Sequence, residues 1–297
     1  MNDAHVHFFS TPFFAALGRQ LRDAGDGAPE QRALGRLGWD APGSAADLAD
    51  RWVTELDRAQ LSRAVLIASV PGDAASVAAA VARHPTRFVG YFMVDPTQPD
   101  APELAAATLE APGMRGICLF PAMHRFPLSD DRVRRIFDVA AAKPGTVVFV
   151  HCGLLTVGVR KKLGLRSPFE TRFGNPLDLH ALAATYATVP IVIPHFGAGF
   201  FRETLMLADL CPNVMLDTSS SNGWIKYHHG LTLRAVFEQA LAVVGADRLL
   251  FGSDSSFFPR GWVRDVFDRQ LTALDEIGVG TGDRDKIFSG NFDRLLV

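Results

Sequence analysis

No Cys-x-x-Cys pair occurs in this chain, and its three cysteines, Cys118, Cys152 and Cys211, are an odd number. That argues against a disulfide framework and against a structural zinc ribbon. No apolar run approaches the roughly 18 residues of a membrane span. No charged segment with an apolar stretch behind it precedes the first motif, so a soluble, cytoplasmic protein is expected. A block of one charge sign is also missing. The net charge is −2 with both signs interspersed, which leaves nothing to suit a nucleic acid or a membrane surface. Finally, no glycine-rich turn follows the first apolar segment, as a doubly wound dinucleotide-binding sheet would usually require.

What is present points to a large buried core. The chain has 297 residues, 48% of them hydrophobic, with 22 phenylalanines. Such a composition excludes disorder, and the length is routine for an α/β barrel built as one domain over residues 1–297. Strands are expected at Ala4 to Phe8, Arg63 to Ala68, Phe88 to Val94, Gly116 to Phe120, Thr146 to His151, Ile191 to His195, Val214 to Thr218 and Arg248 to Asp254. Most are continuous apolar runs, the mark of parallel strands covered on both faces. Helical patterns lie between them, for example Ser44 to Gln60, Ala74 to His84, Asp130 to Ala142 and Leu231 to Val244, with Ser44 and Asp130 at N-cap positions. Eight strands alternating with helices make a (β/α)8 TIM barrel the expected fold, ahead of an open doubly wound sheet. Two connections, 9–43 and 153–175, are longer than a barrel needs.

A barrel places its chemistry at the C-terminal ends of its strands. His5 and His7 end the first expected strand, His151 the fifth, His195 the sixth and Asp254 the eighth. His5 and His7 are two apart on an extended segment, so their imidazoles share a face. A lone histidine at such a place is a hydrogen-bonded core residue as easily as a ligand, and a lone aspartate is as easily a cap. Four of the nine histidines and an aspartate converging on one mouth point instead to a divalent metal site.

These motifs carry a resemblance. Asp3-Ala4-His5-Val6-His7, Val150-His151-Cys152-Gly153, Pro194-His195-Phe196-Gly197-Ala198-Gly199 and Phe251-Gly252-Ser253-Asp254 resemble those of the amidohydrolase superfamily. The branch is amidohydrolase-2, which includes aminocarboxymuconate-semialdehyde decarboxylase-like enzymes. Ser289-Gly290-Asn291-Phe292-Asp293-Arg294 is similar to its closing helix, so the likeness runs end to end. It implies that His5, His7, His151 and Asp254 hold one divalent metal, with zinc favoured and manganese or another ion as alternatives. It also implies that His195 acts beside the activated water rather than on the metal, and that the protein forms a homodimer. Relatives with two metals use a bridging lysine or glutamate at the end of the fourth strand. Here that stretch, Gly116 to Pro121, has neither, and its Cys118 reads as a small buried hydrophobe.

The same residues serve either of two reactions. In hydrolysis of an ester, lactone or amide, Asp254 would move the proton and His195 orient the water or polarise the carbonyl. In non-oxidative decarboxylation of an aromatic or unsaturated acid, the same set would assist protonation of carbon. Hydrolysis is the preferred reading. A non-catalytic binding barrel would have no use for an activated water with an acid/base partner. The substrate is expected to be a small organic acid or its lactone, since the long connections carry arginines that match carboxylates. His124, Arg125, Phe257 and Arg260 follow strand ends closely and are the candidate substrate contacts. Arg160, Lys161, Lys162, Arg166 and Arg172 lie on a connection overhanging the mouth with their roles open, the Arg160 to Lys162 cluster reading as a solvated basic face ahead of a substrate contact, and His228-His229 as a surface loop or rim contact rather than a second metal site. The phenylalanines after the motif strands, among them Phe8, Phe9, Phe13, Phe14, Phe196, Phe200 and Phe201, read mostly as loop packing. Phe257-Phe258-Pro259 is the exception, expected to line the pocket.

Overall fold

Eight strands, all paired in parallel and in sequential order, form the sheet of a computed structural model that describes residues 1–22, 27–219, 222–256 and 260–297. They are β1 (Asn2–Phe8), β2 (Arg63–Ala68), β3 (Phe88–Val94), β4 (Met114–Leu119), β5 (Val147–Val150), β6 (Ile191–Ile193), β7 (Val214–Asp217) and β8 (Leu249–Leu250). The alternation of strand and helix thus produces the expected (β/α)8 barrel. Two hydrophobic layers explain why the strands read as unbroken apolar runs. Val65, Ile67, Tyr91, Met93, Cys118, Phe149 and Val192 fill the barrel interior. Their neighbours Leu66, Phe92, Ile117, Val148 and Ile191 face outward under the helices. Both pleat faces are dry, so neither needs polar residues.

The seam between β1 and the last strand is where the structure departs from the sequence expectation. β8 keeps only two ladder residues of the seven anticipated. Beyond it, closure is carried by single backbone bonds: Ala4 N–H donates to Phe251 O (2.8 Å), Asp254 N–H to His5 O (2.9 Å) and His7 N–H to Ser255 O (2.7 Å). β6 also ends early, at Ile193, because Pro194 has no N–H for the ladder. The next residues, His195 and Phe196, turn left-handed at φ 56° and 52°.

The helices start where the caps predict. Ser44 and Asp47 form a reciprocal capping box ahead of Ala45–Arg58, and Asp130 Oδ1 accepts from the Arg132 N–H ahead of Asp131–Ala142. Leu233–Val244 begins two residues later than expected, because Thr232 is its cap. The two long connections are not plain loops. Helices Thr11–Gly18 and Pro29–Leu37 occupy the first, and Gly158–Lys162 the second. Phe9, Phe13, Phe14, Leu34, Val159 and Leu163 pack these pieces into one apolar cap over the mouth. Among the described residues no helix is long and apolar enough to cross a membrane.

Candidate metal centre

β1 presents His5 and His7 on one face, their Nε2 atoms 3.4 Å apart. Asp254 Oδ1 completes a triangle, 3.7 Å from His5 Nε2 and 3.3 Å from His7 Nε2. Hydrogen bonds on the far side of each ring fix which nitrogen faces inward. His5 Nδ1–H donates to Asp217 Oδ2 at 2.6 Å. Ser69 spends its hydroxyl proton on Ile67 O (3.1 Å), so His7 Nδ1, 2.9 Å from Ser69 Oγ, must be the donor there. Two Nε2 lone pairs and a carboxylate therefore face one another, an arrangement that calls for a cation between them. Nitrogen and oxygen ligands about 2.1 Å from a tetrahedral ion sit roughly 3.4 Å from each other, and the observed edges match that spacing.

His195 joins the same cluster. One ligand atom each from His5, His195 and Asp254 lie within 4.8 Å of one another, a group able to hold a metal ion. Its Nδ1–H donates to the Ser219 carbonyl at 3.1 Å, leaving Nε2 free like the other two rings. Ser219 Oγ lies 2.9 Å from His195 Nδ1 and 3.0 Å from His5 Nδ1, so one hydroxyl touches both imidazoles. Burial lowers the proton affinity of His195, only partly offset by Asp254. Asp254 is opposed by burial too, yet His7, His195 and His5 together hold its carboxyl well below the usual range. His5 feels burial downward and Asp217 upward, and Asp217 wins. Asp254, like His195, has a left-handed backbone, φ 56°. Backbone strain of that kind is often concentrated at working sites.

His151 sits 5.2 Å from His195 by ring centroids and stacks on Phe120. Burial, then His195 and His5, drive its proton affinity well down. Its Nδ1 is buried with no hydrogen-bond partner among the described residues, which distinguishes it from the other three rings. Underneath, Asp3 accepts from the His5 N–H and the Ser253 N–H, both at 3.0 Å, and from the Trp262 indole at 2.7 Å. Burial pushes its carboxyl up to about 6 despite those donors. A Cβ on Gly252 would meet Asp217 Oδ1 at 2.6 Å and His5 Cβ at 2.8 Å, so only glycine lets the last strand approach this cluster.

Of the expected metal residues, His5, His7 and Asp254 converge with His195, while His151 borders the same cavities with its ring beside that of His195; the expected substrate contacts divide. Arg260 lines the main cavity and donates to the Asp254 carbonyl at 3.3 Å. Arg125 points its guanidinium at Pro168 O, 2.8 Å away, tying down the second long connection. His124 is partly buried beside Asp95, and neither it nor Arg125 lines the cavities around the cluster. Phe257 lies outside the described residues. In the basic stretch, Arg160 bonds Arg166 O and Gln20, and Arg172 lies over Phe173, but Lys162 reaches the main cavity. His228 bonds Gly199 O and packs on Trp224, as a rim residue would. Cys118 is fully buried inside the barrel, its thiol pushed up by burial. Asp217, Ser219 and Ser69 were not anticipated. Asp217 had a signal, since it too is a carboxylate at a strand end. The serines had none.

The main cavity, about 480 Å³, opens from His7, His151, His195 and Asp254 and is walled by Phe9, Phe13, Trp39, Met93, Phe120 and Met123. A smaller lobe of about 170 Å³ shares His151, His195, Asp254 and Thr156 with it.

A family model described as amidohydrolase matches residues 2–296. The chain belongs to the amidohydrolase family. Solved structures with the same fold include a 5-carboxyvanillate decarboxylase from Novosphingobium aromaticivorans with bound manganese (TM-score 0.66, 15% identity, covering 99% of this chain and 96% of that one). An amidohydrolase from Burkholderia multivorans with bound zinc gives a TM-score of 0.63 at 17% identity, covering 99% and 98%. A probable 2-pyrone-4,6-dicarboxylic acid hydrolase from Acinetobacter baumannii gives 0.58 at 17%, covering 99% and 98%. Among curated proteins, Protein fluG of Emericella nidulans is 28% identical over 143 residues, 47% of this chain but only 15% of that protein. The match therefore spans a small part of that relative. Proteins sharing this fold thus include a probable hydrolase and a decarboxylase, with zinc bound in one and manganese in another.

Proposed function

We propose that this amidohydrolase-family protein is a metal-dependent hydrolase of a small organic acid, acting on a lactone, ester or amide bond. The observation that carries the reading is the convergence of the His5 and His7 Nε2 atoms with Asp254 Oδ1, with His195 in the same cluster. His5, His7, His151 and Asp254 would hold one divalent ion, with zinc preferred for this nitrogen-rich set and manganese the alternative. When bound, such an ion supplies Lewis-acid polarisation and lowers the pKa of water to roughly 7.

The chain's own residues do the rest. Asp254 takes the proton of the attacking water and returns it to the leaving group. His195, its Nδ1–H anchored on Ser219 O, presents Nε2 to orient that water or to meet the developing oxyanion. Asp217, Ser69 and Ser219 keep the three rings in one tautomer, so no proton is stranded on an inward nitrogen. Arg260 and Lys162 bring positive charge to the main cavity, which suits a carboxylate on the substrate. In this reading the protein is a cytoplasmic enzyme whose partners are a small molecule and a second copy of itself, with no role for nucleic acid or membrane.

The aromatic wall of Phe9, Phe13, Trp39 and Phe120 favours one second reading, non-oxidative decarboxylation of an aromatic or unsaturated acid at the same centre. One panel separates the two. Metal-loaded protein is offered lactones, esters and amides of small acids, with proton release recorded, and aromatic and unsaturated acids, with CO2 recorded. Hydrolysis that disappears on chelation and returns with metal is the expected result. Turnover unchanged by stripping the metal overturns the proposal.

A further inference from the structure

The small lobe shares four lining residues with the large one and adds its own set beyond them. His151, His195, Asp254 and Thr156 line both, so the metal cluster stands at the junction. Beyond it the small lobe is formed by Leu154, Ala198 and the turn Asn222–Tyr227, which contributes Gly223, Trp224, Lys226 and Tyr227. Two features there lack a hydrogen-bonding or ionic partner among the described residues. Trp224 is 3% exposed, and its indole Nε1–H is buried with no acceptor among the described residues. A buried donor left unmet costs free energy unless something supplies an acceptor. Lys226 lies over the Tyr227 ring at 5.1 Å and, among the described residues, has no carboxylate within ion-pair distance. The large lobe repeats the pattern. Lys162 lies over the Trp39 ring at 5.1 Å, Arg260 donates to the Asp254 carbonyl, and neither has an acidic partner among the described residues.

We propose that the substrate carries two anionic groups, one on each side of the reacting carbon. One carboxylate is taken by Arg260 and Lys162 in the large lobe, the other by Lys226 with the Trp224 indole in the small lobe. The inference rests on the proposed reaction centre, because the cluster between the lobes is what makes them two ends of one site. A dianion bridging both lobes gains a charge-assisted hydrogen bond at each end, and the spacing of its charges then selects chain length. Lys226 and Trp224 become specificity-determining residues, while the chemistry stays with Asp254 and His195.

Binding alone tests this, without any need for turnover. Metal-loaded protein is titrated by calorimetry with malonate, succinate, glutarate, adipate and phthalate, and with the matching monoacids. At least one diacid should bind about tenfold more tightly than its monoacid, the worth of one partly exposed charge-assisted contact. Lys226→Met should abolish that preference and leave the monoacid affinity within about twofold, whereas Arg260→Met should weaken both classes. Lys226 is exposed, so the variant is expected to fold, and its circular dichroism checks this. Tryptophan quenching by the preferred diacid should be lost in Trp224→Phe. Equal affinity for every diacid and its monoacid, no binding of any of them, or a preference that survives Lys226→Met overturns the inference. Lys226-dependent diacid binding by a protein that hydrolyses nothing in the panel would leave this inference standing and sink only the proposed reaction.

Discussion

Asp217→Asn tests how the centre is held together, and the structure sets the size of the effect. Asp217 is fully buried and uses both oxygens: Oδ2 accepts from His5 Nδ1–H at 2.6 Å and Oδ1 from the Ser219 N–H at 2.6 Å. An asparagine has one acceptor, so one contact must fail. If its amide nitrogen faces Ser219, two N–H groups collide in a dry site. If it faces His5, the ring must give up its Nδ1 proton, and a proton on Nε2 then points into the cluster. Either outcome removes a charge-assisted hydrogen bond that keeps His5 in its ligating tautomer, and loss of such a support costs about 10- to 100-fold in metal affinity. That is roughly 1.4–2.8 kcal/mol. Affinity is measured by competition of the purified protein against a chromophoric chelator for zinc and for manganese. Asp217→Asn binding either ion within about twofold of the wild type would refute the tautomer argument and leave the hydrogen bond as packing only.

Asp254→Asn should retain the fold but lower metal-dependent turnover by at least about a hundredfold, the usual worth of a positioned acid/base group; unchanged kcat on a confirmed substrate would exclude it as the proton carrier. Elemental analysis of the metal-loaded protein should give one divalent ion per chain, and a content near two would contradict the single-metal reading. Asp3 ionises near 3.8 when unfolded and about 6 when folded, so the native state binds the extra proton between those values and stability falls as pH rises through that window. In metal-free protein the unfolding free energy of the wild type minus that of Asp3→Asn should drop by roughly 3 kcal/mol between pH 3.5 and 7, read from urea titrations, and a flat difference would show that the three donors to Asp3 offset its burial. Gly153→Ala should lower the melting temperature markedly. Its φ of 80° disfavours a side chain, and the added Cβ would run into the carbonyl oxygens of Gly197 and Ala198, which belong to the turn carrying His195. A variant as stable as the wild type would show that turn to be pliable.

Much of this architecture was legible in the residues, and the failures have physical causes. β2 and β3 fall on their expected residues because apolar, β-branched runs flanked by polar turns leave little freedom. β8 shrank because the chain after Leu250 serves the site before the ladder: Asp254 adopts a left-handed conformation that no regular strand permits. The two long connections concealed short helices whose apolar faces pack against each other rather than on the barrel, so their pattern reads weakly. Histidines at strand ends announced the metal cluster, since imidazole is a rare and specific choice there. Ser69 and Ser219 could not be read in advance. A serine near a strand end is common, and only the fold shows that these two meet a ring nitrogen.

The backbone seam between the first strand and the segment after the last one has a consequence for how the centre comes into being. His5 O and Asp254 N are partners across almost the whole chain, and Asp3 grips Ser253 over a separation of 250 residues. Contacts that distant are the slowest to form, so His5 and His7 remain an idle pair until the final strand arrives from the ribosome and docks. An ion held jointly by both sides would then act as a clasp on the seam, adding its binding energy to the closed barrel alone. Chelation should therefore be felt first at the amides of Ala4, His7 and Asp254, whose hydrogen exchange would quicken while β4 and β5, on the opposite wall, stay protected.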